Sequence, residues 1–380
     1  MLPSTERRLF GPGPSPVAPR IMRAMIAPPL SHLDPDMVKI LDDVRARLAR
    51  TFLAGDQALT LAVSGTGTAG SEAAVANVTA AGARVLVVVT GYFGERLVEI
   101  FTRYGARVER VDVEWGRACD PARVEEALGR HGADIVAMVH AETSTGVANP
   151  VRDICAIAVR HGALTVVDAV TSLGAQPLRV EDWHVDVCFS CTQKGLGAPS
   201  GLAPMAVSPR ARERRVPCRS FYLDLALLES FWVHRKYHHT ISAPLVYALR
   251  EALQMVDEEG LEARWARHQA NHEMLVAGLE AIGVTLLPPP AERLWSLSTV
   301  VVPDGIDEAA VRRQLLERFD IEIGAGLGPL AGRIWRVGFM GSGSTRASVL
   351  LFVHALDDVL RSCGYRAGAR ASASAAGRSL

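Results

Sequence analysis

Three lysines stand in the 380 residues, at Lys39, Lys194 and Lys236, against 38 arginines, the remainder of 41 basic side chains. Arginine replaces lysine for charge but not for amine chemistry. A guanidinium stays protonated, whereas a buried amine can lose its proton and attack an aldehyde. Lys194 is the candidate for such a role. It lies in Ser190-Cys191-Thr192-Gln193-Lys194-Gly195, between the apolar run Val185 to Cys191 and a glycine-rich turn. Asp168 closes a second apolar run, Leu164-Thr165-Val166-Val167. A carboxylate at the end of a buried strand needs a backbone cap, an arginine or a ligand cation, because unpaired burial is costly. The two residues are 26 positions apart, about one βαβ unit, so both side chains can emerge at one edge of a sheet.

Gly65-Thr66-Gly67-Thr68-Ala69-Gly70 follows one strand pattern and precedes a helical one. A dinucleotide site would want an acidic residue at the end of the next strand. That strand ends Val89-Thr90-Gly91-Tyr92-Phe93, with no acid. What remains is a tight turn or a phosphate cradle, in which N–H groups of a helix N-terminus are aided by the hydroxyls of Thr66 and Thr68. Phe93 packs in a core unless a planar ring is present for it to stack on.

The elements that must position these groups alternate. Met37 to Thr51 has helical spacing, with Val38, Leu41, Val44 and Leu48 on one face. Strands are predicted at 59–63, 85–89, 108–113, 135–140, 164–168, 185–191 and 202–207, with helices between most of them. Short, nearly all-apolar strands suit a sheet covered on both faces, and the alternation implies a mostly parallel α/β arrangement. Residues 1–20, rich in Pro and Gly, read as an extended arm. The predicted organisation is a large α/β domain over 21–260, with a mostly parallel seven-stranded sheet flanked by helices, and a smaller C-terminal α/β domain over 261–368. The smaller unit has strands near 298–302, 321–323 and 334–339, and residues 369–380 read as a disordered tail.

The net charge is zero, which argues against nucleic-acid or membrane-surface binding. No apolar run approaches the ~18 residues that span a bilayer. Six scattered cysteines in a chain of this size favour reduced thiols in the cytoplasm. Cys188 and Cys191 form a C-x-x-C with no second pair, and read as small buried side chains. The pair His238-His239 could suggest metal ligands, but adjacent histidines usually point apart, and no metal site is expected.

A lysine for an aldehyde, an aspartate for a pyridinium nitrogen, an N–H cradle for a phosphate and an aromatic for a ring together describe pyridoxal phosphate. From Gly11-Pro12-Gly13-Pro14-Ser15 to about Gly364 the chain resembles the class V pyridoxal-phosphate aminotransferases, nearest the alanine–glyoxylate and serine–pyruvate enzymes. The matching segments are Ser64-Gly65-Thr66-Gly67-Thr68, Glu142 to Val147, Val167 to Gly174, Gln193-Lys194, Tyr237-His238-His239-Thr240, and Gly326 to Pro329 through Arg336-Val337-Gly338. The resemblance implies the aspartate-aminotransferase-like fold. It implies that Lys194 carries the Schiff base to the cofactor and that Asp168 pairs with the ring nitrogen. It places Phe93 on the ring, Thr66, Gly67, Thr68 and Gln193 at the phosphate, and Thr143 near the ring oxygen. Arg336 grips the substrate carboxylate, as a guanidinium fork does well. Tyr237 and Thr240 reach the phosphate of a neighbouring subunit, which implies a homodimer with shared sites. The implied reaction moves an amino group from a small amino acid to glyoxylate or pyruvate. The rival reading keeps fold and cofactor but performs a specialised transamination, an elimination or a decarboxylation. Ser31, where relatives often have glycine, and Ser242, where proline is common, bear on the substrate rather than the cofactor.

Overall fold

The computed structural model describes residues 6–366; the tail expected at 369–380 lies outside them. A seven-stranded sheet is built from β1 (Leu59–Ser64), β2 (Arg84–Val89), β3 (Arg107–Asp112), β4 (Ile135–Val139), β5 (Leu164–Asp168), β6 (Val187–Phe189) and β7 (Leu202–Val207). Their order across the sheet is β1-β7-β6-β5-β4-β2-β3. Only β7 runs against its neighbours, pairing antiparallel with both β1 and β6. The other six therefore deliver their carboxyl ends to one edge, and β7 starts there.

The inner strands are buried because helices cover both faces, while the edge strand β3 is largely exposed. All five residues of β4 and all five of β5 are buried, Asp168 included. Each fully buried Val or Leu contributes roughly 1.5–3 kcal/mol, so these runs hold the sheet while their ends stay free for chemistry. The predicted strand over 185–191 shortens to Val187–Phe189; beyond it Ser190 Oγ and Cys191 Sγ, rather than a strand ladder, meet the carbonyls of Ala169 and Val170.

The helix Pro35–Phe52 begins at Asp34, whose side chain accepts from the Asp36 N–H, and ends where Leu53 turns left-handed at φ 48°. Its buried stripe is Met37, Leu41, Val44, Leu48 and Phe52. Val38, placed on that face by the sequence spacing, is only part-buried, and Met37 takes its position.

A second hydrophobic cluster forms around Trp335, Phe339 and Phe352 beyond the helix Leu261–Ala281. It contains a three-stranded antiparallel sheet with Ile334–Gly338 between Leu297–Val301 and Gly324–Ala325. The strand predicted at 321–323 does not join that sheet. Ile321–Glu322 pairs instead, in parallel, with Arg8–Leu9 of the N-terminal arm. The arm's Phe10 is buried in the same second cluster. The arm then runs to the helix Pro19–Met25, crossing the free edge of the large sheet on the way.

Candidate active site

The carboxyl ends of β1, β2, β4, β5 and β6 surround a cavity of about 280 Å³. Eight of the eleven residues singled out from sequence line it: Thr66, Gly67, Thr68, Phe93, Thr143, Asp168, Gln193 and Lys194. Gly13, Pro14, Arg96, Val170 and Ser200 line it too and were not anticipated.

Lys194 is part-buried, and its Nζ donates to the carbonyl oxygen of Pro12. Burial lowers its pKa, and the nearby Arg336 guanidinium pushes in the same direction against opposing pulls from Cys191 and Asp168. A shift in this direction makes an amine easier to use as a nucleophile. The arm holds it from above. Ser15 Oγ donates to the Lys194 carbonyl at 2.8 Å, and Ser15 N–H donates to the Gln193 carbonyl at 2.8 Å. Gly13 has φ +115°, and a Cβ there would stand 2.6 Å from Lys194 Cε and 2.8 Å from Nζ. Only glycine fits both that backbone and that space.

Asp168 is 7% exposed. One carboxylate oxygen accepts from the Val170 N–H at 2.8 Å. Burial pushes its pKa up to about 7; the Val170 hydrogen bond opposes this and the Glu142 carboxylate adds to it. A cation arriving in the cavity would find a carboxyl ready to ionise against it.

The helix Gly67–Val78 starts at Thr66, and no side chain caps its first turn. The first N–H groups of such a helix have no partner within it, and with the dipole they attract an anion. Gln193 aims a buried amide oxygen at no partner. A Cβ on Gly67 would come within 2.9 Å of Val170 Cγ2, so this helix start can approach β5 only as glycine. Thr143 Oγ1 shares a hydrogen bond of 2.6 Å with Thr171 Oγ1, which fixes its hydroxyl at the cavity wall.

Phe93 lies in the first turn of the helix Tyr92–Arg103, and that helix is held by Glu142. The Glu142 carboxylate is fully buried and accepts from the N–H groups of Phe93 at 3.4 Å, Gly94 at 3.1 Å and Ser144 at 3.1 Å. Arg96 lies 4.9 Å from the Phe93 ring centroid and 3.4 Å from Thr68 Oγ1. Glu142 was legible only as part of a motif, and Arg96 gave no signal beyond being one arginine among 38.

Three residues stand off the cavity wall. Arg336 is 9% exposed and carried by Ile334–Gly338. Its Nε donates to the Ala325 carbonyl at 2.7 Å, and no ion pair is formed by it among the described residues. Its neighbour across the strands, Gly324, packs against Pro12, the residue whose carbonyl holds Lys194. Burial lowers the Arg336 pKa to about 10. Tyr237 is 62% exposed and Thr240 is exposed, both outside this chain's own cavity. His238 and His239 do not point apart as the sequence suggested. Their Nδ1 atoms meet at 2.7 Å, because this irregular segment lets Phe221 O anchor one ring and Ser64 Oγ the other. Among the described residues no three His, Cys, Asp or Glu side chains converge as metal ligands would.

The arrangement offers an amine whose pKa burial lowers, a carboxyl that ionises near neutrality, an anion cradle and an aromatic face within one cavity. Comparison with known proteins gives it a setting. The family described as Aminotransferase class-V matches residues 21–361. The (S)-ureidoglycine–glyoxylate transaminase of Bacillus subtilis (strain 168) is 36% identical, over 95% of this chain and 93% of that protein. The alanine–glyoxylate aminotransferase of Callithrix jacchus is 37% identical, over 94% of this chain and 88% of that protein. The crystal structure of alanine–glyoxylate aminotransferase from Nostoc sp. superposes with a TM-score of 0.92 at 44% identity, covering 95% of this chain and 98% of that one.

Proposed function

The chain belongs to the class-V aminotransferases, and on that footing we propose that it carries an amino group from a small amino acid of the alanine or serine type to glyoxylate or pyruvate. It is a pyridoxal-phosphate transaminase. The relatives above are named for glyoxylate, which supports that acceptor first. The observation that carries the reading is Lys194 and Asp168 together at one cavity with a free helix N-terminus between them.

The residues present fit pyridoxal phosphate. The uncapped start of the helix at Thr66-Gly67-Thr68 suits its phosphate, and the Gln193 amide at the same cavity wall can turn its NH2 end to donate to it. Asp168, a carboxyl poised at about 7, suits a ring nitrogen that must keep its proton. When bound, the cofactor supplies an aldehyde for amines and a ring that accepts the electron pair left when a proton departs the substrate carbon.

The rest of the work falls to this chain's own side chains. Lys194 Nζ, held where burial favours the neutral amine, removes the α-proton and later returns a proton, as general base and acid. Asp168 would hold a protonated ring nitrogen with its carboxylate. Thr143 and Phe93, both on the cavity wall, would bear on the edge and face of the cofactor ring. Arg336 presents two unpaired terminal nitrogens to the substrate carboxylate, a bidentate match. Leu97, Val139 and Val170 line the cavity with apolar surface and limit water.

The homodimer implied by Tyr237 and Thr240 is part of the proposal. Beside them Phe221 is 71% exposed and Tyr222 45%, their rings against His238, an apolar face that a second copy would cover. The two largest hydrophobic clusters, one in each part, support the division into a large domain over 21–260 and a small one from 261. No helix among the described residues is long and apolar enough to cross a membrane, and the six free thiols support a cytoplasmic setting.

The test is Lys194→Ala in the purified protein, with alanine, serine or ureidoglycine as donor and glyoxylate or pyruvate as acceptor. Wild type should form the matching amino acid, and the variant should lose both the reducible covalent cofactor and the transfer. Ammonia release without an acceptor would favour elimination instead, and full activity of the variant would remove Lys194 from the chemistry.

A further inference from the structure

Arg264 stands in the first turn of Leu261–Ala281, outside the cavity lining. Its side chain is 5% exposed. Nε donates to the Gly174 carbonyl at 2.9 Å and Nη2 to the Gly195 carbonyl at 2.7 Å. Gly174 closes the turn that begins at Asp168, and Gly195 follows Lys194. The two turns touch directly, since a Cβ on Gly195 would collide with the Leu173 carbonyl. One planar fork thus spans the backbones behind both reactive side chains.

The fork is itself held. Glu259 pairs with Arg264 Nη1 at 2.7 Å and with Arg267 Nε at 2.6 Å. Arg267 Nη1 donates onward to the carbonyls of Gly341 at 3.1 Å and Ser344 at 2.6 Å, in the segment that leaves the strand of Arg336. That segment rests on the turn after Lys194, where a Cβ on Gly341 would come within 3.0 Å of Gly197 Cα. None of the three residues lines the cavity.

We propose that Arg264, tied through Glu259 to Arg267, is a positioning residue that fixes Lys194 relative to Asp168 and, through Arg267, to Arg336. The inference rests on the reading of those three side chains given above. A guanidinium offers donors in a rigid geometry, so two carbonyls bound to one fork cannot separate independently. A misplacement of about 1 Å remote from the chemistry can cost ~100-fold in rate.

The experiment uses the holoenzyme and three variants. Arg264→Met keeps the apolar stem and loses the fork. Arg264→Lys keeps the charge and can reach one carbonyl at a time. Arg267→Met releases only the far end. Three quantities are read: kcat, KM for the amino donor, and the pH midpoint of the visible band of the Lys194-bound cofactor. Arg264→Met should lower kcat by ~100-fold and move the midpoint by about half a pH unit or more, and Arg264→Lys should recover part of both. Arg267→Met should chiefly raise KM, because it serves the segment after Arg336. A wild-type midpoint and kcat in the Arg264 variants, with only a lower melting temperature, would reduce Arg264 to a structural residue and overturn the proposal. If Arg264→Met does not fold, an unchanged midpoint in Arg264→Lys overturns it equally. Lys194→Ala serves as the control. A band that survives that change refutes the active-site reading, whereas a band that disappears there but ignores Arg264 refutes only the clamp.

Discussion

Asp168 makes a stability prediction that the holoenzyme hides. In the cofactor-free chain its pKa is pushed from 3.8 to about 7, chiefly by burial. The folded state therefore holds a proton that the unfolded chain has already released, and stability falls as pH rises through that window. Below pH 3.8 the carboxyl is neutral in both states and nothing is lost. Above about pH 7 it is charged in both, and the full penalty stands. At ~1.36 kcal/mol per pH unit, the interval from 3.8 to about 7 amounts to about 4 kcal/mol.

Asp168→Asn removes the charge, and its amide oxygen can still accept from the Val170 N–H. The stripped variant should therefore be more stable than stripped wild type. By the linkage relation the advantage is about 2 kcal/mol at pH 5 and about 4 kcal/mol at pH 8. Urea unfolding of both proteins, without cofactor, at the two pH values reads this as a difference of differences between about 2 and 3 kcal/mol. Other titrating groups are shared and cancel. Adding pyridoxal phosphate at pH 8 should then stabilise wild type more than the variant, since only wild type has a carboxylate for the ring nitrogen. A variant-minus-wild-type difference that stays flat between pH 5 and pH 8 would show that Asp168 is not desolvated as described, and its pairing role would fall with it.

Two further substitutions follow from the same geometry. Gly13→Ala would force a side chain into φ +115° and into contact with Lys194 Cε at 2.6 Å; backbone strain alone costs about 1–3 kcal/mol, so the melting temperature should fall and cofactor loading should slow, and unaltered loading would show that the arm does not restrain the amine. Arg336→Lys should lose the bidentate grip on the substrate, a change of about 1.5–3 kcal/mol or roughly 10- to 150-fold in kcat/KM, measurable by steady-state kinetics with alanine, while an amine lacking a carboxylate reacts at its wild-type rate.

The local features were legible because they are local. Apolar runs such as Val85 to Val89 and Leu164 to Val167 marked strands whose ends must share an edge, and the scarcity of lysine pointed to Lys194. Helical spacing located Pro35–Phe52, yet a period of about 3.6 residues brings positions three and four before Leu41 both near one face, and the packing chose Met37 over Val38. The pairing of Ile321–Glu322 was unreadable for a similar reason: a short strand specifies its own conformation but not which free edge it meets, and that edge came from the arm more than 300 residues earlier.

The chain by itself determined the reactive inventory: one amine and one carboxylate at strand ends, a glycine-rich helix start, and enough family motif to name the cofactor. The fold decided how those groups behave. The Pro12 carbonyl reaches Lys194 across 182 positions, and Arg264 grips turns 69 and 90 positions away. Desolvation, the chief cause of the shifts at Asp168 and Lys194, depends on what closes over a residue in space. Neighbours along the chain do not encode that closure, because it exists only once distant segments have packed together.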